Sequence, residues 1–167
     1  MSGIKMKVIW LLLLSLSFPL AASQIQELSN TGKPISIEGV MVTPENDLWS
    51  IYSDKKLHTV QNRQYFLLVK GFPSRPNHPS GQCGAGQEMY ADIYQVVDKK
   101  SVKVQRVMVV SCWRSIEQFS RGETGDFSSI TWNEKGVVFD WIVPPNFTHL
   151  KGQLNLDADV PELVFTD

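Results

Sequence analysis

Two cysteines and one histidine are the residues whose types and spacing come nearest to catalytic chemistry. Cys83 and Cys112 are the only cysteines of the chain, and His78 lies five residues before Cys83. A thiolate beside an imidazole base is the pair that a cysteine nucleophile requires. Two cysteines in an exported chain more simply form one disulfide, which would also give Cys112 a role. We therefore expect a Cys83–Cys112 disulfide, with the Cys83–His78 nucleophile as the alternative.

The other residues that could do chemistry do not form a recognisable pattern. Three histidines are far apart in the chain, whereas a metal site needs three or four converging ligands: His58, His78 and His149. Three serines lie outside any Gly-x-Ser-x-Gly elbow: Ser80, Ser111 and Ser115. Glu123 and Asp126 are three residues apart beside a glycine, a pattern more typical of a solvated turn than of a glycosidase acid pair. The sequence predicts no catalytic residue, no metal site and no cofactor.

The segment 71–87 is the most unusual part of the sequence. It holds three prolines and four glycines, so it cannot be regular structure, and loops of this length are usually functional or disordered. The prolines lower the entropy lost on ordering it. We expect the exposed tip, made of Arg75, Asn77, His78 and Ser80, to contact a partner. The alternative is that the glycines only let the chain turn tightly beside the disulfide.

A second candidate binding surface is the strand face that carries Tyr90, Asp92 and Tyr94. These alternate residues point away from the predicted core, and tyrosines beside a charged residue are typical of protein interfaces. The alternative is an ordinary half-exposed face of a sheet. Most of the other large aromatic residues are expected in the core: Trp49, Tyr52, Trp113, Trp132 and Trp141.

Two-residue alternation dominates the chain, and this predicts the strands that must position these residues. Strands are expected at 35–42, 48–52, 65–71, 89–97, 102–110, 128–132, 137–143, 153–156 and 163–165. The turn 43–47 separates the first two, and the run 65–71 is apolar enough to be covered on both faces. Short strands joined by polar turns predict an all-β fold, a single-domain antiparallel sandwich or small barrel with one disulfide.

Two hairpins are clear enough to assign inward faces. In the first, turning at 98–101, one arm faces the core with Met89, Ala91, Ile93 and Val97, and the other with Val102, Val104, Met108 and Val110. In the second, Gly136 is expected at positive φ, and four residues of the following strand face the core: Val137, Phe139, Trp141 and Val143. Pro144 and Pro145 end that strand. The one helix candidate is the short segment 115–119.

The first 23 residues have the three parts of a secretory signal peptide. Lys5 and Lys7 precede an apolar stretch at 8–20, and Ala21-Ala22-Ser23 offers the small residues that signal peptidase recognises. The stretch is shorter than the roughly 20 residues that span a bilayer. Cleavage before Gln24 would leave a single domain over 24–167 that is periplasmic or secreted and does not insert stably into a membrane.

The net charge of the mature chain indicates which classes of partner it is expected to bind. The full chain has 16 basic and 17 acidic residues, and removing Lys5 and Lys7 leaves 14 against 17. This mildly acidic balance argues against nucleic acid or an anionic membrane as the partner. Asn146-Phe147-Thr148 matches the N-glycosylation sequon, which matters only in a eukaryotic source.

In overall type the chain is similar to periplasmic inhibitor and immunity proteins that neutralise cell-wall-degrading enzymes. The likeness rests on export, small size, β-rich pattern, a single disulfide and the missing catalytic set, without a shared motif. It implies a non-enzymatic binding protein whose 71–87 loop blocks a secreted or periplasmic protein, such as a peptidoglycan hydrolase or toxin. The alternatives are a structural or small-ligand-carrying envelope domain, or a hydrolase using Cys83 or the acidic pair.

Overall fold

The computed structural model describes residues 24–30, 32–78 and 80–166, and in this part of the chain the protein is an antiparallel all-β structure. The predicted signal peptide, 1–23, lies outside the described residues. The strands are β1 Gln26–Glu27, β2 Ile35–Ile37, β3 Val40–Val42, β4 Ser50–Ser53, β5 His58–Val60, β6 Arg63–Pro73, β7 Gln87–Val97, β8 Lys100–Ser111, β9 Glu117–Gln118, β10 Thr131–Asn133, β11 Gly136–Val143, β12 Thr148–Asn155 and β13 Glu162–Thr166.

The strands form two main sheets and a small hairpin. The first sheet has the order β1-β4-β6-β7-β8, with β5 also pairing with β6. The second sheet has the order β10-β11-β12-β13, with β9 beside β11, and β2 pairs only with β3. The main core contains residues of both sheets, such as Leu67 and Ile93 of the first and Phe139 and Leu154 of the second. This is a sandwich, as predicted from the alternation.

The central strand β6 is buried on both faces, which confirms the interpretation of its apolar run. Leu67 and Val69 belong to the core between the sheets. Phe66 and Leu68 point to the opposite face and belong to a second cluster, which includes residues of the β2–β3 hairpin. The hairpin therefore acts as a third, partial layer over the back of the first sheet.

The prediction of a single strand at 35–42 was wrong, because the chain reverses its direction within this segment. Glu38 and Gly39 both have positive φ, 45° and 89°, and they separate β2 from β3. Positive φ at both central residues is the requirement of a type I′ turn, which closes a two-residue hairpin. Alternation continues through such a turn, so the apolar pattern did not reveal it.

The prediction of which β8 residues face the core was also partly wrong. The pairing register shifts between Met89 and Tyr90 and again between Ile93 and Tyr94, and each shift leaves an extra residue on β8. Such bulges change which face the following residues occupy. The buried apolar residues of this strand are Val107, Val109 and Val110, whereas Met108 is half-buried and Val102 is 46 % exposed.

The turn of this hairpin is tighter than expected. Val97 pairs with Lys100, so only Asp98 and Lys99 lie between the strands. Both have positive φ, at 49° and 63°. Two successive positive φ values again identify a type I′ turn, here made without glycine.

The second hairpin follows the predicted pattern. Val137, Phe139 and Trp141 of β11 are buried, and the strand ends at Val143, before the two prolines. Gly136 has φ 145°, and a Cβ atom there would lie 2.2 Å from the carbonyl oxygen of Leu154. Only glycine fits this position.

The helix expected at 115–119 does not form. Ser115 has φ 52°, and Ser111 and Ile116 exchange two backbone hydrogen bonds across the tight turn. Glu117 and Gln118 then extend as β9 and pair with β11. The left-handed residue at the start excludes a helix there. The described residues contain no helix long and apolar enough to cross a membrane.

The assignment of the β11 faces can be tested with adjacent residues. Phe139→Ala should lower the free energy of unfolding by about 3–5 kcal/mol, because it empties a fully buried site. Val138→Ala, on the half-exposed face, should cost about 1 kcal/mol or less. Urea unfolding of both variants checks this, and equal losses would contradict the assigned register.

Candidate binding surface

The disulfide predicted from the cysteine count is present and fixes one end of the 71–87 loop. Cys83 and Cys112 are joined, with their Cα atoms 5.7 Å apart. A Cβ atom on Gly86 would lie 2.8 Å from the Cβ atom of Cys112, so glycine allows the loop to pack directly on the bridge. Because the sulfur of Cys83 is in the bridge, the Cys83–His78 nucleophile is excluded in this state.

Hydrogen bonds within the loop and from Trp113 hold its described residues. β6 continues to Pro73 and β7 begins at Gln87, so the irregular part is 74–86. The Ser74 amide donates to the Gly86 carbonyl at 2.9 Å and closes the base of the loop. Arg75 Nη1 donates to the Ser80 carbonyl at 3.1 Å, and the Trp113 indole donates to the Ser74 carbonyl at 2.9 Å. These bonds link the two arms of the loop to each other and the loop to Trp113.

The four predicted tip residues do not all have the same role. Asn77, His78 and Ser80 are exposed, as expected. Arg75 is half-buried, and its guanidinium bond to the Ser80 carbonyl links the two arms of the loop. The side chains available to a partner are mainly those of Asn77, His78 and Ser80.

Residues of the loop line two hollows. The first, the Trp49 hollow, has a volume of about 820 Å³, and its lining includes Trp49, Phe72, Asn77 and His78. The second, the disulfide hollow, has a volume of about 520 Å³ and is lined by 85–87, Cys112 and Phe147 among others. The loop thus contributes to two concave surfaces.

Three large aromatic side chains that line the hollows or bond to the loop are exposed. Trp49 is 53 % exposed, Trp113 is 50 % exposed and Phe147 is 63 % exposed. Trp49 and Trp113 belong to the set of aromatic residues of which most were expected in the core, and for these two the expectation was wrong. Alternation around Trp49 carries the missed signal, because Leu48 and Ser50 on either side of it are buried.

The strand face that carries Tyr90, Asp92 and Tyr94 was predicted to be exposed. This prediction was wrong for two of the three residues. Asp92 is 0 % exposed and Tyr94 is 7 % exposed, whereas Tyr90 is half-buried. Tyr94 belongs to the back cluster with residues of the β2–β3 hairpin. The face is covered by the β2–β3 hairpin, which was predicted as a single strand.

Asp92 is instead the centre of an ion network formed with Glu45, Lys70 and Arg106. Lys70 Nζ lies 3.0 Å from Asp92 Oδ2 and 2.6 Å from Glu45 Oε2. Arg106 binds Asp92 with two nitrogens, Nη2 donating to Oδ2 at 2.8 Å, and reaches Glu45 Oε1 at 3.2 Å. Lys70 also donates to the Tyr94 hydroxyl at 2.7 Å.

The network shifts the pKa values of its members towards the charged forms. Burial opposes ionisation of Asp92, but hydrogen bonds from Arg106 and Lys70 outweigh it and hold its pKa below the usual value. The pKa of Glu45 is likewise lowered against burial, by the Lys70 hydrogen bond. The pKa of Lys70 is raised because the bonds to Glu45 and Tyr94 outweigh its burial. All three groups are charged at neutral pH.

The remaining candidates for chemistry lie apart from this network. His58 bonds Asp54 at 2.6 Å and stacks on Trp132, while His149 packs against Phe119. No group of three or more His, Cys, Asp or Glu residues within the described ranges could hold a metal ion.

The acidic pair and the sequon are also separate from it. Glu123 and Asp126 lie in a surface segment that contains a 3₁₀ turn, Gly122–Thr124. Hydrogen bonds from Ser128 lower the pKa of Asp126. Asn146 is exposed in the turn between β11 and β12.

No family model, curated protein or solved structure significantly matches the chain.

The disulfide can be tested by mass spectrometry and by replacement. Non-reduced mature protein should give one peptide pair joined through Cys83 and Cys112. Replacing both with Ala should lower the free energy of unfolding by about 3.5 kcal/mol, because the unfolded chain loses its cross-link. A free thiol at Cys83 in protein from its native compartment would contradict the assignment.

The ion network predicts a pH-dependent loss of stability. The pKa of Asp92 is lower in the folded protein than in the unfolded chain. The ionised carboxylate therefore contributes its full stabilisation above the pKa of the unfolded chain, near pH 4, and this stabilisation is lost as the pH falls through the pKa of the folded protein. Asp92→Asn should cost about 3–5 kcal/mol at pH 7, since it leaves Lys70 buried with one carboxylate fewer. Urea unfolding should show that the difference in unfolding free energy between wild type and Asp92→Asn is smaller at pH 3.

Asp98→Asn, in an exposed turn, is the control and should have the stability of wild type at both pH values. An unchanged difference between pH 7 and pH 3 would contradict the assigned role of the Asp92 charge.

Proposed function

We propose that this protein is an exported binding protein, an inhibitor or immunity factor that blocks a cell-wall-degrading or other secreted enzyme through the 71–87 loop. The single observation that carries the proposal is the disulfide-fixed loop whose residues line two hollows. An exposed loop whose base is fixed by a disulfide and by the Ser74–Gly86 hydrogen bond is suited to entering an enzyme cleft. The disulfide is compatible with an oxidising compartment, which agrees with the predicted export.

Order within the loop supports binding for an energetic reason. Association loses free energy when flexible side chains and loops become fixed, so a segment already held by a disulfide and by internal hydrogen bonds loses less. The Arg75–Ser80 and Trp113–Ser74 bonds hold the loop on both sides. Its polar tip can therefore enter a cleft without large rearrangement.

The residues around the loop match the composition of strong interfaces. Tryptophan, tyrosine and arginine provide most interface hot spots, usually surrounded by polar residues that exclude water. Trp49 is exposed and lines one hollow together with Asn77 and His78, and the exposed Trp113 bonds to the loop at Ser74. We assign Trp49 and the tip residues the main role in binding.

The alternatives receive less support from the same structure. A small-ligand carrier would need space between its sheets, and that region is filled by side chains such as Tyr65, Phe127 and Phe139. A hydrolase using Cys83 would need the sulfur that is in the disulfide.

The proposal predicts that two surface changes reduce binding without unfolding the protein. The assay measures inhibition of purified secreted peptidoglycan hydrolases by the mature protein, from the rate at which a peptidoglycan suspension clears. Trp49→Ala, and separately the double change Asn77→Ala with His78→Ala, should weaken inhibition by about 2 kcal/mol or more. The double change should leave stability within about 0.5 kcal/mol.

Phe165→Ala is the matched control, because Phe165 is 57 % exposed on β13 of the second sheet, in a different part of the molecule. It should inhibit like wild type. Equal inhibition by all variants would assign the loop a purely structural role. A complete lack of inhibition across the hydrolases of the source organism would contradict the proposed class of partner.

A further inference from the structure

One wall of the Trp49 hollow is the segment 43–49, which joins β3 to β4. Residues 46–49 line the hollow directly. At its end the segment is fixed to the sheet, since the Trp49 amide donates to the Gly71 carbonyl at 2.9 Å and Leu48 is buried. In its middle, Pro44 is buried, and the carboxylate of Glu45 forms ion pairs with the body of the protein.

Glu45 binds in a socket formed by two cations on the back of the first sheet. Its two oxygens accept from Lys70 on β6 and Arg106 on β8, at 2.6 Å and 3.2 Å. Asp92, on the strand between them, bonds to both cations and holds them in place. Two positive and two negative charges balance, so the socket without Glu45 would have an unpaired positive charge. Lys103, 43 % exposed and 3.7 Å from Asp92, adds to that positive field.

The same network reaches the hollow at a second point. The Arg106 guanidinium lies over the ring of Phe72, 5.8 Å from its centroid, and over the ring of Tyr90, 5.3 Å away. Phe72 lines the Trp49 hollow. One arginine therefore contacts both Glu45 in the wall and an aromatic residue that lines the same hollow.

We propose that Glu45 is a positioning residue, whose carboxylate, held by Lys70 and Arg106, fixes the segment 43–49 and thereby the Trp49 side of the binding surface. The proposal rests on the proposed function for its biological meaning, but its physical content concerns the free protein. A wall fixed before binding loses less conformational entropy when a partner is bound.

Hydrogen exchange of the mature protein tests this without any partner. In Glu45→Ala, amides in 43–49 should exchange at least tenfold faster than in wild type, because local opening of the segment no longer breaks two ion pairs. Amides at the centre of β6 and β7 should change far less. Glu134→Ala, in the exposed β10–β11 turn, is the matched control and should leave both regions unchanged.

A second measurement observes Trp49 itself. The chain has five tryptophans, and Trp10 lies in the predicted signal peptide, so mature protein labelled with 5-fluorotryptophan should give four fluorine resonances. Trp49→Phe assigns one of them. In Glu45→Ala that resonance should shift or broaden while those of Trp132 and Trp141 stay in place. If Glu45→Ala does not fold, Glu45→Gln, which keeps the shape and removes the charge, should give the same changes.

The outcomes separate this inference from the proposed function. Unchanged exchange in 43–49, or a rise that is equal in 43–49 and in β6 and β7, would overturn the positioning role and leave the inhibition assay unaffected. A specific rise in 43–49 with an altered Trp49 resonance would support it, even if no hydrolase is inhibited.

Discussion

Lys70 imposes the constraint on which much of this structure depends. It lies in the central strand of the first sheet, with 1 % of its side chain exposed, and an ammonium group removed from water must be surrounded by acceptors and opposite charge. Asp92 on the next strand and Glu45 from a distant segment supply that charge. Satisfying one buried cation thus brings 43–49 over the back of the sheet and places Trp49 beside the 71–87 loop. The back layer is thus held by this ion network as well as by the apolar cluster behind the sheet.

Sequence patterns identified the parts of the fold that depend on local rules. The apolar run 65–71 predicted a strand buried on both faces, and the alternation from Val137 to Val143 predicted the inward face of β11. Proline and glycine marked the ends of elements because their backbone limits act within a few residues. The disulfide followed from a count of two cysteines in a chain that is predicted to be exported.

The parts that failed depend on tertiary pairing. Bulges in β8 arise from its register against β7, so alternation along β8 alone assigned Met108 to the wrong face. The type I′ turn at Glu38 and Gly39 preserves alternation and was therefore invisible in the pattern. For the candidate site, the loop and its exposed tip were predictable from composition. The exposure of Trp49 and the burial of Asp92 were not, because both follow from how a distant segment covers the sheet.

The bulges in β8 also affect how this chain behaves when crowded with copies of itself. β8 ends the first sheet and is twelve residues long, a length at which an edge strand offers a row of backbone groups to any passing extended chain. Two register shifts interrupt that row, and Lys100, Lys103 and Arg106 place positive charges along it. An incoming strand would find neither a regular ladder nor a neutral surface. The irregularity that displaces Met108 from the core thus protects the sheet against edge-to-edge aggregation.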